Sequence, residues 1–201
     1  MKTKAVFLDK DGTLIRNLPY NVNPRFIELA PFAGEGLRLM QQLGYRLFIA
    51  SNQAGVAMGR FEEAALAAVW RRLQTLLQAE GVALSGCYYC PHHPEGIVRR
   101  YARICDCRKP GPGLLLRASA QHDIDLGASW MIGDILNDIE AGQRAGCRTM
   151  LVDNGNETEW ELTPSRVPDA IVADLREAAW LIESEQQQQE QPAFALDSEL
   201  A

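Results

Sequence analysis

Short apolar runs, each ending on a polar residue, alternate along this chain with segments of helical periodicity, and that alternation leaves few folds open. Residues 4–8 stop at Asp9, residues 45–50 (YRLFIA) stop at Ser51-Asn52-Gln53, and residues 130–132 run into Gly133-Asp134. Residues 85–89, 147–152 and 169–172 read as three further strands, the last of them at an edge. Between them, residues 34–43 space Leu37, Met40 and Leu43 as a helix with Gly44 at its end. Residues 61–80 place Leu66, Val69, Leu73, Leu76 and Leu77 on one helical face and stop at Gly81. Residues 112–122, 137–145 and 175–182 complete the helical set. Strands that alternate with helices imply a parallel sheet covered on both faces, an α/β, Rossmann-like three-layer α/β/α arrangement. Only short insertions separate the elements.

Length and charge narrow the function. The 201 residues suit one domain, expected over residues 1–183. The last 18 residues hold four acids and no base; of the net charge of −6 they carry −4, leaving −2 for the body. A near-neutral body sets up no field for nucleic acid or an anionic membrane. No apolar run approaches membrane-spanning length, and the first residues lack the apolar core of a signal peptide. Residues 184–201, with four consecutive Gln, are expected to stay unordered.

In an open parallel sheet, ligands bind outside the carboxyl ends of the strands. That rule delivers Asp9 and Asp11, Ser51 and Asn52, and Asp134 and Asp138 to one edge. Carboxylates converging there form a hard oxygen site of the kind Mg²⁺ occupies together with substrate phosphate. The metal also answers an electrostatic difficulty, since an anionic nucleophile must approach an anionic phosphoryl group. A strand-end carboxylate such as Asp9 can become an aspartyl-phosphate, and one two residues on, Asp11, can serve as acid and then base.

Residues 90–111 lose all periodicity and collect Cys, His, Pro and Arg. Cys90-Pro91-His92-His93 and Cys105-Asp106-Cys107 supply three thiols and an imidazole, a standard tetrahedral Zn²⁺ set with no position open for catalysis. A structureless stretch inside a compact domain needs an ordering device, and a structural metal is one. Thiolate ligation points to the reducing cytoplasm. Cys87 and Cys147 lie in apolar runs and read as buried free thiols.

Asp9-x-Asp11-Gly12-Thr13, the strand ending in Ser51-Asn52, Arg108-Lys109-Pro110 and Gly133-Asp134-x-x-x-Asp138 together resemble the four motifs of the haloacid dehalogenase (HAD) superfamily of phosphatases. The resemblance implies Asp9 as nucleophile and Asp11 as acid/base. It implies Ser51 and Lys109 on the phosphoryl oxygens, and Mg²⁺ held by Asp9, Asp134 and the main-chain carbonyl of Asp11. Asp138 would support the site or orient Lys109. The run Cys-Pro-His-His-Pro followed by Cys-Asp-Cys-Arg-Lys-Pro resembles the zinc-loop branch of heptose-bisphosphate and histidinol-phosphate phosphatases. That branch implies no large cap domain, which the short insertions here match, and His92 as the fourth ligand of Cys90, Cys105 and Cys107. It also implies substrate contacts from residues 17–20 (Asn17 and Tyr20 among them), from Ser51, Asn52 and Gln53, and from Arg108. The implied reaction is removal of the 7-phosphate of a heptose 1,7-bisphosphate, a precursor for lipopolysaccharide or S-layer, by a cytoplasmic monomer acting on a small phosphorylated metabolite; histidinol phosphate or another sugar phosphate is the alternative. Two departures stand out. Asn17-Leu18-Pro19 is weakly polar for gripping a sugar, and Ile135 stands where the heptose enzymes tend to carry Lys.

Two non-enzymatic readings compete. A phosphoacceptor receiver domain also gathers acids at strand ends, but its acceptor Asp ends a middle strand, where this chain offers Ser51-Asn52. A zinc-stabilised binding module leaves the strand-end carboxylates without a purpose.

Overall fold

The computed structural model describes residues 2–190. Six strands, β1 (Ala5–Leu8), β2 (Arg46–Asn52), β3 (Gly86–Cys90), β4 (Trp130–Gly133), β5 (Arg148–Val152) and β6 (Ala170–Val172), form one sheet in the order β3-β2-β1-β4-β5-β6. Every neighbouring pair is parallel. β1 lies near the middle, where both of its edges are paired and its end is flanked by the ends of β2 and β4.

Alternation along the strands divides the core in two. Val6, Leu8, Leu47, Ile49 and Ile132 face one layer with α1 (Ala33–Gln42), α2 (Leu66–Ala79) and α5 (Leu175–Glu190), through Leu37, Met40, Leu73, Leu77, Ala178 and Ile182. Ala5, Phe7, Phe48, Ala50 and Met131 face the other, where α3 (Gly113–His122) supplies Leu114, Leu115 and Ala118. On that face α4 (Leu136–Ala145) adds Leu136 and Ile139 against Leu151. Each buried apolar side chain of this size contributes roughly 1.5–3 kcal/mol, so the two layers rather than any polar site hold the sheet. Gly36 permits the closest helix contact: a Cβ there would sit 2.2 Å from the Leu175 carbonyl oxygen, so α1 and α5 touch backbone to backbone.

The strand and helix order matches the sequence reading, with four corrections. β2 continues through Ser51 and Asn52 because these two pair with Tyr89 and Cys90 of β3. The same register puts Cys90, the first cysteine of the aperiodic stretch, on the last position of β3. The helix expected from residue 61 starts as a 3-10 turn, Glu63–Ala65, before α2. The last helix, expected to stop at residue 182, runs to Glu190, so residues 184–190 are helical rather than unordered. Gln and Glu propagate a helix at little cost once Ala178, Ala179 and Ile182 have packed its start, and Arg148 pairs with Glu185 alongside. The rest of the expected unordered tail, residues 191–201, lies outside the described residues.

Candidate active site

Of the four acids that the strand-end rule delivers to this edge, the structure gathers three. Carboxylate oxygens of Asp9, Asp134 and Asp138, from the ends of β1 and β4 and the first turn of α4, lie within 4.8 Å of one another, and all three residues are buried. Lys109 reaches them from the stretch after β3. Its Nζ donates to Asp9 Oδ1 at 2.5 Å and to the Ala50 carbonyl at 2.7 Å, and lies 2.7 Å from Asp138 Oδ1. Only 1% of Lys109 is exposed, a burial tolerable for an ammonium only because two carboxylates and a carbonyl receive it. Its main chain is fixed by Asn52: the Asn52 amide donates to the Lys109 carbonyl, and the Lys109 N–H donates to Asn52 Oδ1, each at 3.0 Å.

Three buried acids facing one ammonium leave the cluster short of positive charge. Burial, then the neighbouring charges of Asp9 and Asp138, push Asp134 up to about 7, against a bond from Asn156 that lowers it. Burial pushes Asp138 up to about 6 even though Lys109 pulls it the other way. Burial alone would lower Lys109, but Asp138 and Asp9 outweigh it and hold it above the ordinary lysine value. A divalent cation among hard oxygen donors would supply the missing charge, so the donor set fits Mg²⁺.

Asp134 is oriented by two donors, Thr13 Oγ1 at 3.3 Å and Asn156 Nδ2 at 2.7 Å. Asn154 Nδ2 donates to the Gly12 carbonyl at 2.6 Å, and Glu157 caps α4 by accepting the Leu136 N–H at 2.6 Å. Gly12 has φ +96°, and a Cβ there would lie 1.9 Å from Asp134 Oδ2, so only glycine lets the turn pass behind the cluster. The carboxylate of Asp11 points elsewhere. Its Oδ1 accepts from Lys10 Nζ at 2.6 Å and its Oδ2 from Gln53 Nε2 at 3.1 Å. Gln53 also donates to Oγ of the buried Ser51 at 2.8 Å.

A cavity of about 220 Å³ is lined by Asp9, Asp11, Asn17, Asn52, Lys109 and Asp134 among others. A second, of about 300 Å³, opens beside it between residues 17–21 and 52–55, floored by Tyr20 and Phe61. Asn17, Asp11 and Asn52 line both, so a molecule reacting in the first extends naturally into the second. Of the expected substrate contacts, Asn17, Tyr20, Asn52 and Gln53 therefore border this space. Arg108 brings a buried Nη1 that no hydrogen-bond partner satisfies. Lys10, Thr13, Asn154, Asn156 and Glu157 were not singled out from the sequence as site residues. The strand-end rule, carried on to β5, would have reached Asn154 and Asn156.

The cysteines and histidine gather as expected. Sγ atoms of Cys90, Cys105 and Cys107 lie 3.2–3.5 Å apart, and His92 Nδ1 sits 3.4 Å from Cys107 Sγ and 3.6 Å from Cys90 Sγ. Tetrahedral Zn–S bonds put sulfurs about 3.8 Å apart, so the set fits one Zn²⁺ with no open position. His93 turns away, accepting from the Glu95 N–H instead. Burial raises the thiols of Cys87 to about 11 and Cys147 to about 12, which makes them inert.

Comparison with known proteins agrees with this geometry. A family model for HAD-hydrolase-like proteins matches residues 106–178. The D-glycero-beta-D-manno-heptose-1,7-bisphosphate 7-phosphatase of Escherichia coli K12 is 37% identical over 177 residues, covering 83% of this chain and 93% of that protein. The D-glycero-alpha-D-manno-heptose-1,7-bisphosphate 7-phosphatase of Photorhabdus laumondii is 36% identical over 158 residues, covering 78% of this chain and 86% of its own. Among solved structures, D,D-heptose 1,7-bisphosphate phosphatase from B. bronchiseptica, complexed with magnesium and phosphate, aligns with a TM-score of 0.79 at 28% identity, covering 91% of this chain and 99% of that one. With its strand-end carboxylates, buried lysine and near-complete alignment to these enzymes, the chain belongs to the HAD superfamily of phosphatases.

Proposed function

We propose that this phosphatase removes the 7-phosphate of D-glycero-D-manno-heptose 1,7-bisphosphate through an aspartyl-phosphate on Asp9. The observation that carries the chemistry is the buried Lys109 ammonium between Asp9 and Asp138, a cation placed where a phosphoryl group would meet the nucleophile. The substrate rests on the relatives and on a second cavity that extends the site.

An Asp9 oxygen forms a bond to phosphorus as the bond to the sugar oxygen breaks, and the proton on Asp11 passes to that oxygen. Asp11, now a carboxylate, takes a proton from water as the water oxygen attacks phosphorus and the Asp9 O–P bond breaks. Lys109 and Ser51 hold the phosphoryl oxygens, while Asn17, Tyr20, Asn52, Gln53 and Arg108 border the remainder of the sugar. Asp9, Asp134 and the Asp11 main-chain carbonyl would hold Mg²⁺, which would supply charge neutralisation there, and Asp138 orients Lys109. Cys90, His92, Cys105 and Cys107 would hold Zn²⁺, which would fix the segment that delivers Arg108 and Lys109. The enzyme works as a monomer in the reducing cytoplasm, where thiolate ligands persist. No helix among the described residues is long and apolar enough to cross a membrane.

The test is phosphate release from both anomers of the heptose bisphosphate, from histidinol phosphate and from simple hexose phosphates, with phosphorus NMR reporting which phosphate leaves. Mg²⁺-dependent loss of the 7-phosphate with the highest kcat/KM is expected. Faster release from histidinol phosphate would overturn the substrate, and no Mg²⁺-dependent release from any of them would overturn the reaction.

A further inference from the structure

Lys10 is the residue between the two catalytic aspartates, and the mechanism above leaves it without a task. Its side chain is among the most completely buried in the protein, 1% exposed. Its Nζ donates to Asp11 Oδ1 at 2.6 Å, and among the described residues Asp11 is its one acidic partner. The ammonium lies 5.8 Å from the centre of the half-buried Trp70 ring, which in turn packs on Tyr89. Burying an ammonium costs several kcal/mol, and one partly exposed carboxylate with one aromatic face does not offset that cost better than an apolar side chain would. Stability therefore does not account for a lysine here.

We propose that Lys10 is a positioning residue for Asp11. Lys10 on Oδ1 and Gln53 on Oδ2 hold the carboxylate from both sides and fix its rotation. Without this clamp Asp11 has other attractions to follow, since its side chain is 34% exposed at a cavity mouth and open to water. Trp70 and Tyr89 make the clamp rigid by fixing where the ammonium can sit. Lys10 also borders the second cavity, so a direct contact with substrate is the rival role, and the two roles separate kinetically. Positioning of the group that moves the proton acts on kcat; a contact with bound substrate acts on KM.

This inference rests on the proposed reaction, so its test uses two leaving groups. Lys10→Met keeps the volume and the packing on Trp70, and Lys10→Arg keeps the charge. In the full-length Mg²⁺-loaded enzyme, Lys10→Met is expected to lower kcat on the preferred alkyl phosphate of the panel roughly 10²-fold, with KM changed less than about threefold and an unchanged melting temperature. p-Nitrophenolate departs without a proton, so on p-nitrophenyl phosphate the variant should still show a rapid burst of about one nitrophenolate per active site, followed by slow turnover, because only the water step still needs Asp11. Lys10→Arg should recover most of kcat. A Lys10→Met enzyme with kcat within about threefold of the parent would overturn the proposal, as would a rise in KM at constant kcat or loss of the burst. If the parent cleaves p-nitrophenyl phosphate but not the heptose bisphosphate, the substrate reading fails while the burst still decides the role of Lys10.

Discussion

The carboxylate centre, fully buried, and the cysteine–histidine centre, half-buried at Cys105 and Cys107, are both groups of metal-ligand side chains, yet they are built in opposite ways. The first draws on residues 9, 109, 134 and 138, brought together by the sheet and by the segment after β3. The second draws on residues 90–107, a single stretch without helix that, beyond its start in β3, is tied to the body mainly through Tyr101, which donates to Glu63 and packs with Val56 and Ala57, and through the Val98 N–H on the Ala57 carbonyl. In the first, the fold forces acids together at a cost visible in the raised Asp134 and Asp138, so the protein supports the site. In the second, sulfurs 3.2–3.5 Å apart order the chain between them once a metal binds, so the site supports the protein. Removing the metal should then have opposite consequences at the two centres: lost chemistry with little lost structure at one, lost structure at the other.

The sharpest test of that contrast is Asp9→Asn. The change is isosteric, and the packed layers do not depend on it. Turnover should fall at least ~10³-fold while the melting temperature stays the same or rises. Appreciable residual activity would show that the phosphoryl group is not carried on Asp9. Next in size is Cys107→Ser, which removes one thiolate of the second centre. Zinc content should drop below stoichiometric and the melting temperature should fall by something on the order of 10 °C. A zinc-free variant that melts with the parent would erase the distinction between the two centres.

A smaller effect of opposite sign is expected at Asp134. Its carboxyl binds a proton more tightly in the folded protein, with the midpoint moved from 3.8 to about 7. Over that interval the folded state holds protons that the unfolded chain has released, so stability falls as pH rises from 3.8 towards 7 and stays low above it. Asp134→Asn removes this penalty. At pH 8 without Mg²⁺ the variant should melt several degrees above the parent, and at pH 4 the difference should shrink. Adding Mg²⁺ should stabilise the parent and not the variant. A variant less stable than the parent at pH 8 would mean that the acids are not crowded against one another.

Legibility in the sequence follows the same division. Strands show because a central parallel strand is apolar on both faces; Ala5–Leu8 and Trp130–Gly133 carry that mark, and the acids after them follow from position alone. The cysteine loop shows because ligands close in sequence leave a spacing. Partners of the side chains do not show. Nothing in Asn154-Gly155-Asn156 announces that both amides turn back onto Gly12 and Asp134, since that contact depends on how the turn after β5 lies over the turn after β1. Nothing in Asp9-Lys10-Asp11 announces that the lysine between the acids is buried near Trp70. The helix through Glu190 was hidden for another reason: a Gln-rich stretch has no apolar period of its own, and its order is borrowed from the packed turns before it.

Asn156 supplies the finest test, because it acts on the carboxylate centre without belonging to it. Its amide gives Asp134 Oδ2 a 2.7 Å bond, the shorter of the two that orient that carboxylate. It sits in the partly exposed stretch after β5, so truncation leaves no packed void, although Asp134 Oδ2 loses its donor. Groups that orient a ligand carboxylate cost about 10–100-fold in metal affinity when lost. With Thr13 still in place and water able to take the vacated position, Asn156→Ala should fall at the lower end, about a tenfold rise in the Mg²⁺ concentration for half-maximal activity. kcat at saturating Mg²⁺ should stay within about threefold, since neither Asp9 nor Lys109 loses a partner. A drop in kcat that Mg²⁺ cannot restore would place Asn156 against the substrate instead, which its position on the wall of the 220 Å³ cavity also allows.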